Sequence, residues 1–140
     1  MEPATHLAID PRFSGSPKFL EGGRAEVQLD TLAEMAVDAA GLVHGGFVFS
    51  LADHAAMLAV NDPLVVLSGA TVEFLGPVAV GEVLVASANV SASEGRRWVV
   101  ECTVQRDEEI VFRGTFDCVV PRRHVLASRP ADTTGPEGAA

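Results

Sequence analysis

Gly45-Gly46-Phe47-Val48-Phe49-Ser50-Leu51-Ala52-Asp53-His54-Ala55-Ala56-Met57-Leu58-Ala59-Val60 is the stretch that decides the fold. It reads as one helix that stops at Asn61-Asp62-Pro63, because Pro disfavours helix in the residue before it. Such a helix, about 15 residues and roughly 22 Å long, is apolar around most of its circumference and carries no Lys, Glu or Arg. It must therefore be buried. It is too short to span a membrane comfortably and it holds Asp53 and His54.

Strand patterns surround it. Arg24 to Asp30 alternates polar and apolar, as a half-buried strand does. Four strand-like runs follow the helix: Leu64 to Leu75, Val83 to Ser91, Arg97 to Gln105 and Ile110 to Val120. The third puts Trp98, Val100, Cys102 and Val104 on one face. The fourth puts Ile110, Phe112, Phe116, Cys118 and Val120 opposite Arg113, Thr115 and Asp117. Ser93-Glu94-Gly95 and Arg106-Asp107-Glu108 sit where hairpin turns belong. One strand, one long helix and about four successive antiparallel strands predict an α+β hot-dog fold, with a curved sheet of five to six strands wrapped around the helix.

At 140 residues, 48% hydrophobic and 21% charged, the chain is expected to be one soluble domain. Residues 1–22, with Pro3, Pro11 and Pro17, read as an irregular leader with room for one short helix. The hot-dog domain is placed at 23–125 and a disordered tail at 126–140. The start lacks a basic run and an apolar segment, so the cytoplasm is the expected compartment. A net charge of −9 argues against nucleic-acid binding. The basic residues cluster as Arg96-Arg97 and Arg122-Arg123 beside strand ends, and each pair taken alone reads as solvated turn residues. Cys102 and Cys118 fall on apolar strand faces and suggest neither a disulfide nor a zinc site. The histidines lack ligand spacing, so no metal is expected.

The chemistry concentrates on the helix. Ser50, Asp53, His54, Met57 and Asn61 fall on one stripe. A lone Asp amid Ala, Leu, Phe and Val is costly unless it is paired or working. At the helix entrance, His44-Gly45-Gly46 lets a ligand approach the backbone, and free N–H groups at the positive dipole end suit a developing oxyanion. His44 and Asp53 lie nine residues apart, which on one helix means half a revolution and roughly 13 Å. One small carbonyl cannot touch both. A reaction using both needs the helix entrance of one subunit and Asp53 of another, hence a homodimer or dimer of dimers.

His44-Gly45-Gly46, Asp53 and Thr71-Val72-Glu73-Phe74-Leu75-Gly76-Pro77 together resemble the phenylacetic-acid-degradation-type acyl-CoA thioesterases of the hot-dog superfamily, over roughly Gly23 to Val120. The resemblance implies hydrolysis of a small or medium, aliphatic or aromatic, acyl-CoA. Asp53 would then act as general base or nucleophile and the Gly45 N–H would polarise the carbonyl. It also implies pantetheine along the strand ending at Phe74 to Pro77, with Gly46, Ser68, Thr71, Phe74 and Gly76 in binding and Arg96 and Arg97 near the nucleotide. No cofactor beyond the substrate's own coenzyme A is implied. Two positions depart from the family: Asp38 stands where many relatives have Asn, and Gly76 where they often have a basic residue. Ser68 and Thr71 point to opposite strand faces, so one of them at most faces the site. Phe47, Phe49, Met57 and Leu58 are candidates for the acyl pocket. Three other readings stay open: a Ser50–Asp53–His54 nucleophilic set, a hydratase or dehydratase pairing His54 with Asp53, and a non-catalytic acyl-CoA sensor.

Overall fold

The computed structural model describes residues 1–130. A single turn of helix, α1 (Pro11–Ser14), leads into β1 (Ser16–Glu21) and β2 (Arg24–Asp30); then come the long helix α2 (Gly45–Val60), β3 (Val66–Phe74), β4 (Val83–Glu94), β5 (Arg97–Arg106) and β6 (Glu109–Val119). The strands form one sheet in the order β1-β2-β4-β5-β6-β3, with every neighbouring pair antiparallel. The chain thus leaves β2, crosses the sheet with α2, and returns at the far edge as β3. This is the hot-dog architecture that the strand and helix periods predict.

Composition explains how closely α2 sits on the sheet. Ala52, Ala55, Ala56 and Ala59 are all buried, and their small side chains let the helix approach β2, β4 and β5. Leu51, Met57 and Leu58 fill the space against Val27, Leu29, Leu84, Val100 and Val104 from the strands. The buried residues of β4 and β5 (Leu84, Ala86, Ala88; Val100, Cys102, Val104) alternate with exposed or half-exposed ones, as expected for a sheet with one face on the core.

The leader contains the one short helix for which the sequence left room, and departs from an irregular segment by also forming β1. Asp10 caps α1 through its carboxylate, accepting from the Arg12 N–H at 2.9 Å, and Pro11 occupies the first helical position where its missing N–H costs nothing. Gly15 takes φ +88°, and a Cβ there would lie 2.8 Å from the Gln28 carbonyl oxygen. Ser16–Glu21 then pairs with β2 as an edge strand, with a bulge between Pro17 and Phe19. An edge tolerates Pro and buries little, and Leu20 is the one buried residue of β1, so the alternation that marks other strands is absent here. At the other end, Val125–Ser128 forms a 3₁₀ turn; the rest of the expected tail, 131–140, lies outside the described residues.

One face assignment is also corrected. Ile110 is 42% exposed, whereas Val111 is buried. The register jumps from Val104↔Phe112 to Gln105↔Ile110, so Val111 is an extra residue that reverses the alternation. Its carbonyl accepts from the N–H groups of Leu75 and Gly76 at 2.8 and 3.2 Å, fixing the exit of β3.

Candidate functional site

The entrance of α2 is held by backbone bonds before the helix begins. Val43 N–H donates to the Val78 carbonyl at 2.8 Å and His44 N–H to the Met35 carbonyl at 2.9 Å. Asp38 shapes the approach: its Oδ1 accepts from Ala40 and Leu42 N–H, both at 3.1 Å. That is a turn-forming role confined to its own loop. No side chain caps α2, so the N–H groups of Gly45 and Gly46 in its first turn have no intrahelical acceptor. The exposed His44 ring folds over Gly46, where a Cβ would meet its Nε2 at 2.8 Å, and it meets Phe47 edge-on. Gly45 faces the Phe74 ring, with a Cβ position 3.2 Å from Cε1. Beside them lies a cavity of about 440 Å³ bordered by Leu42, Val48, Phe74, Gly76 and Pro77.

Asp53 sits eight residues further along, about 12 Å down the axis. Its Oδ1 is buried and has no hydrogen-bond partner. Burial pushes its pKa up to about 6. Beneath it, burial and then the Asp53 charge push the Cys102 thiol up to about 12, and Cys118 is raised by the same two causes with Asp117 adding. One turn before Asp53, Phe49 packs on Phe116 and Phe112, and Phe74 stacks edge-on against Phe112 at 5.1 Å. Among the described residues nothing pairs with the buried carboxylate oxygen.

The polar stripe predicted on α2 divides into two uses. Ser50 Oγ lies 2.7 Å from Ser14 Oγ. His54 Nδ1 is 3.0 Å from the Ser14 carbonyl, and its ring stacks on His6. Burial lowers the pKa of both imidazoles. Asn61, in left-handed conformation, accepts from Ala4 N–H at 2.7 Å and donates to the Glu2 carbonyl at 3.1 Å. These three residues clamp the leader onto α2, and Asp53 alone of the polar stripe is left without a structural partner. Ser50 and His54 are thus engaged with the leader, not with each other or with Asp53.

The remaining candidates spread along the sheet. Ser68 occupies a bulge of β3 and donates to the Asp117 carbonyl at 3.0 Å. Thr71 pairs with Thr115 and borders a polar groove with Glu73 and Glu101, on the face away from α2. Gly76 lies at the entrance, 3.3 Å from Glu109 Oε1 by its Cβ position. Arg96 and Arg97 lie at the opposite end of the sheet, where Arg97 pairs with Val119. Met57 and Leu58 are wholly buried in the core, so they do not line an accessible acyl pocket, whereas Phe47 and Phe49 remain partly exposed. Sequence reasoning missed the leader clamp; three polar residues at helical spacing, with an Asn at the helix end, were the available signal. Among the described residues no cluster of three or more His, Cys, Asp or Glu is arranged to hold a metal, and no helix is long and apolar enough to cross a membrane.

A buried, unpaired acid on the central helix of a hot-dog fold, with a glycine-lined helix entrance, defines a class of protein rather than a single activity. Residues 40–112 match the thioesterase superfamily, and the chain belongs to it. An uncharacterised protein of Pyrococcus horikoshii is 50% identical, with a TM-score of 0.89 over 90% of this chain and 97% of that one. The PaaI protein of the phenylacetic acid degradation operon of E. coli is 27% identical, with a TM-score of 0.69 over 74% of this chain and 81% of that one. A protein of Aquifex aeolicus named methylthioribose-1-phosphate isomerase is 48% identical over 116 residues, 83% of this chain and 25% of that protein. The transcription factor FapR of Caldanaerobacter subterraneus is 31% identical over 63% of this chain and 44% of its own length. The chain thus spans a quarter to a half of the curated relatives named here.

Proposed function

We propose that the protein hydrolyses an acyl-CoA thioester to a free acid and coenzyme A. The observation that carries this is the buried Asp53 Oδ1 without a partner, in a stripe whose other polar members are all committed to the leader. As general base, the Asp53 carboxylate takes a proton from water as the water oxygen bonds to the thioester carbon. The carbonyl oxygen gains negative charge and accepts from the Gly45 N–H of a facing subunit. The tetrahedral intermediate collapses, the C–S bond breaks, and the thiolate leaves with the proton returned by Asp53. A nucleophilic Asp53 would instead form an acyl anhydride that water then opens, with the same net balance.

The facing subunit is supplied by pairing of the β3 edge. Among the described residues β3 has no neighbour on its outer side, Val66, Leu67 and Val72 are half-buried, and Phe74 is 55% exposed. An apolar open edge of this length invites a second copy. Antiparallel pairing of two β3 strands carries the helix entrance of one chain toward the middle of the other's α2, which joins Gly45 to Asp53 across the interface. Screening short, medium and aromatic acyl-CoAs with free-thiol detection tests the activity. Mixing inactive Asp53→Asn and Gly45→Pro subunits tests the sharing, because heterodimers regain one intact site.

The likeness to FapR favours one second reading, an acyl-CoA sensor that binds its ligand and releases it intact. Tight acyl-CoA binding with no thiol release across that panel selects the sensor.

A further inference from the structure

Among the described residues, the hydrogen bonds from residues 1–14 to the rest of the fold go to side chains of α2 and of Asn61 at its end. Ser14 Oγ meets Ser50 Oγ at 2.7 Å, the Ser14 carbonyl lies 3.0 Å from His54 Nδ1, and Asn61 bonds the backbone of Ala4 and Glu2. Between these fastenings the His6 ring stacks on His54, with centroids 6.1 Å apart and planes 21° apart, and Phe13 meets Phe47. His54 is only 2% exposed. His6 is itself half-buried, with Thr5 Oγ1 2.9 Å from its Nδ1. Its φ of +57° is left-handed, a backbone that residues with side chains seldom adopt unless contacts hold them there. Downstream the hold changes hands at Gly15. A Cβ there would lie 2.8 Å from the Gln28 carbonyl, Leu51 Cδ1 and Val27 Cγ1, and from Ser16 onward β1 is paired into the sheet. The leader can therefore lift from α2 as far as Gly15 with every strand in place.

The stacked imidazoles are the part of this strap that pH can change. A carbonyl only accepts, so Nδ1 of His54 carries the ring's proton and an added one goes to Nε2, charging a ring with almost no access to water. A charge on His6, face to face with it, adds repulsion. Burial lowers the pKa of both rings; the His54 charge lowers that of His6 further, and the bond to Ser14 only partly offsets burial at His54. The leader's other charged groups are Glu2, Asp10 and Arg12, the last two paired with each other. Asp53 adjoins His54 on α2, and β1 and β2 carry Lys18, Glu21, Arg24, Glu26 and Asp30. β2 turns Ala25, Val27 and Leu29 to the core and its charged residues the other way. The buried titratable groups of the strands beneath are the Cys102 and Cys118 thiols, neutral with pKa values up to about 12. Among the described residues no carboxylate forms an ion pair with either imidazole.

We infer that the leader is an acid-released strap: it leaves α2 when His6 and His54 take up protons and docks again when they lose them. In a released leader both rings titrate near the ordinary 6.5, and in the docked one below it. Docking is therefore at full strength above pH 6.5 and weakens as pH falls, by up to about tenfold per ring per pH unit until the docked rings themselves are protonated. Asp53 works in the opposite sense. Its pKa is raised to about 6, so acid makes the folded chain around it more stable and does not loosen the fold in general.

Hydrogen–deuterium exchange at pH 7.5 and pH 5, corrected for the intrinsic pH dependence of amide exchange, tests the strap without substrate and so independently of the thioesterase reading. In wild type the protection of residues 4–14 should fall about tenfold or more at pH 5, while β4 and β5 keep theirs. H6N/H54N removes both titrations; Asn suits the left-handed backbone at position 6, and its amide can donate to the Ser14 carbonyl from position 54. A strap docked in that variant should be equally protected at both pH values. The imidazole titrations, followed by the Cε1–H proton signals, give a measure that does not depend on the variant docking. Both rings of wild type should titrate below 6.5. Asn61→Gly weakens docking without touching either ring, so by reciprocity it should move both titrations up toward 6.5. Asp53→Asn should release its leader over the same pH range as wild type. The inference is overturned by wild-type protection that is the same at both pH values, or by acid release that persists in a docked H6N/H54N. Ring titrations unmoved by Asn61→Gly, or release that disappears in Asp53→Asn, overturn it equally.

Discussion

Replacing Asp53 by Asn should remove activity and make the protein more stable, by an amount that depends on pH. Burial moves the carboxyl's titration from 3.8 to about 6, so holding it ionised in the folded chain costs about 3 kcal/mol. Below pH 3.8 folded and unfolded chains are both protonated and the cost is absent. Between 3.8 and about 6 the folded chain keeps a proton that the unfolded chain releases, so stability falls as pH rises; above about 6 the full cost applies. An amide is close in shape to a neutral carboxyl and never ionises. Asp53→Asn should therefore be more stable than wild type by up to about 3 kcal/mol at pH 7.5 and by close to nothing at pH 4. N–H donors from a facing subunit recover part of the cost, so that figure is an upper limit. Urea unfolding of both proteins at the two pH values, at one fixed subunit concentration, measures the difference. A variant that is less stable at pH 7.5, or a difference that does not change with pH, refutes the reasoning that Asp53 is an uncompensated buried carboxylate.

Gly45→Pro should fold, since Pro suits the first helical position and His44 already has the extended ψ of 130° that precedes Pro. Loss of the N–H donor should lower thioester turnover about a hundredfold; turnover within a few-fold of wild type removes Gly45 from the reaction. Ser50→Ala should keep turnover within a few-fold, because its hydroxyl bonds to Ser14, whereas a hundredfold loss would select the nucleophilic set. Gly114→Ala places a Cβ 2.7 Å from Val72 Cγ1 and 3.2 Å from the Thr71 carbonyl, and denaturation should show a loss of about 1–3 kcal/mol. Asn61→Gly keeps the left-handed turn but deletes both bonds to the leader, so the Ala4 amide should exchange with deuterium faster; unchanged exchange shows that the leader is held elsewhere.

The fold was legible where one element has one burial period. α2 runs from Gly45 to Val60 as the sequence predicts, and β2, β4 and β5 follow their two-residue alternation. β1 was not legible because an edge strand with Pro17 and one buried residue carries no alternation. Ile110 was misplaced because a bulge at Val111 shifts the register, and no local residue type announces a bulge there. Within the stripe on α2 the sequence shows that Ser50, Asp53, His54 and Asn61 share a face. Which of them meets a partner depends on the path of residues 2–15, a long-range arrangement that helical spacing does not contain.

Thiol release measured against pH, for wild type and Asp53→Asn on whichever acyl-CoA is turned over best, decides whether Asp53 is the catalytic acid–base group. The rate should hold at neutral pH and fall in acid along a single ionisation at or below about 6, with a loss of about a hundredfold or more in Asp53→Asn across the range. A rate indifferent to pH between 4 and 8, or an Asp53→Asn protein within a few-fold of wild type, contradicts that role.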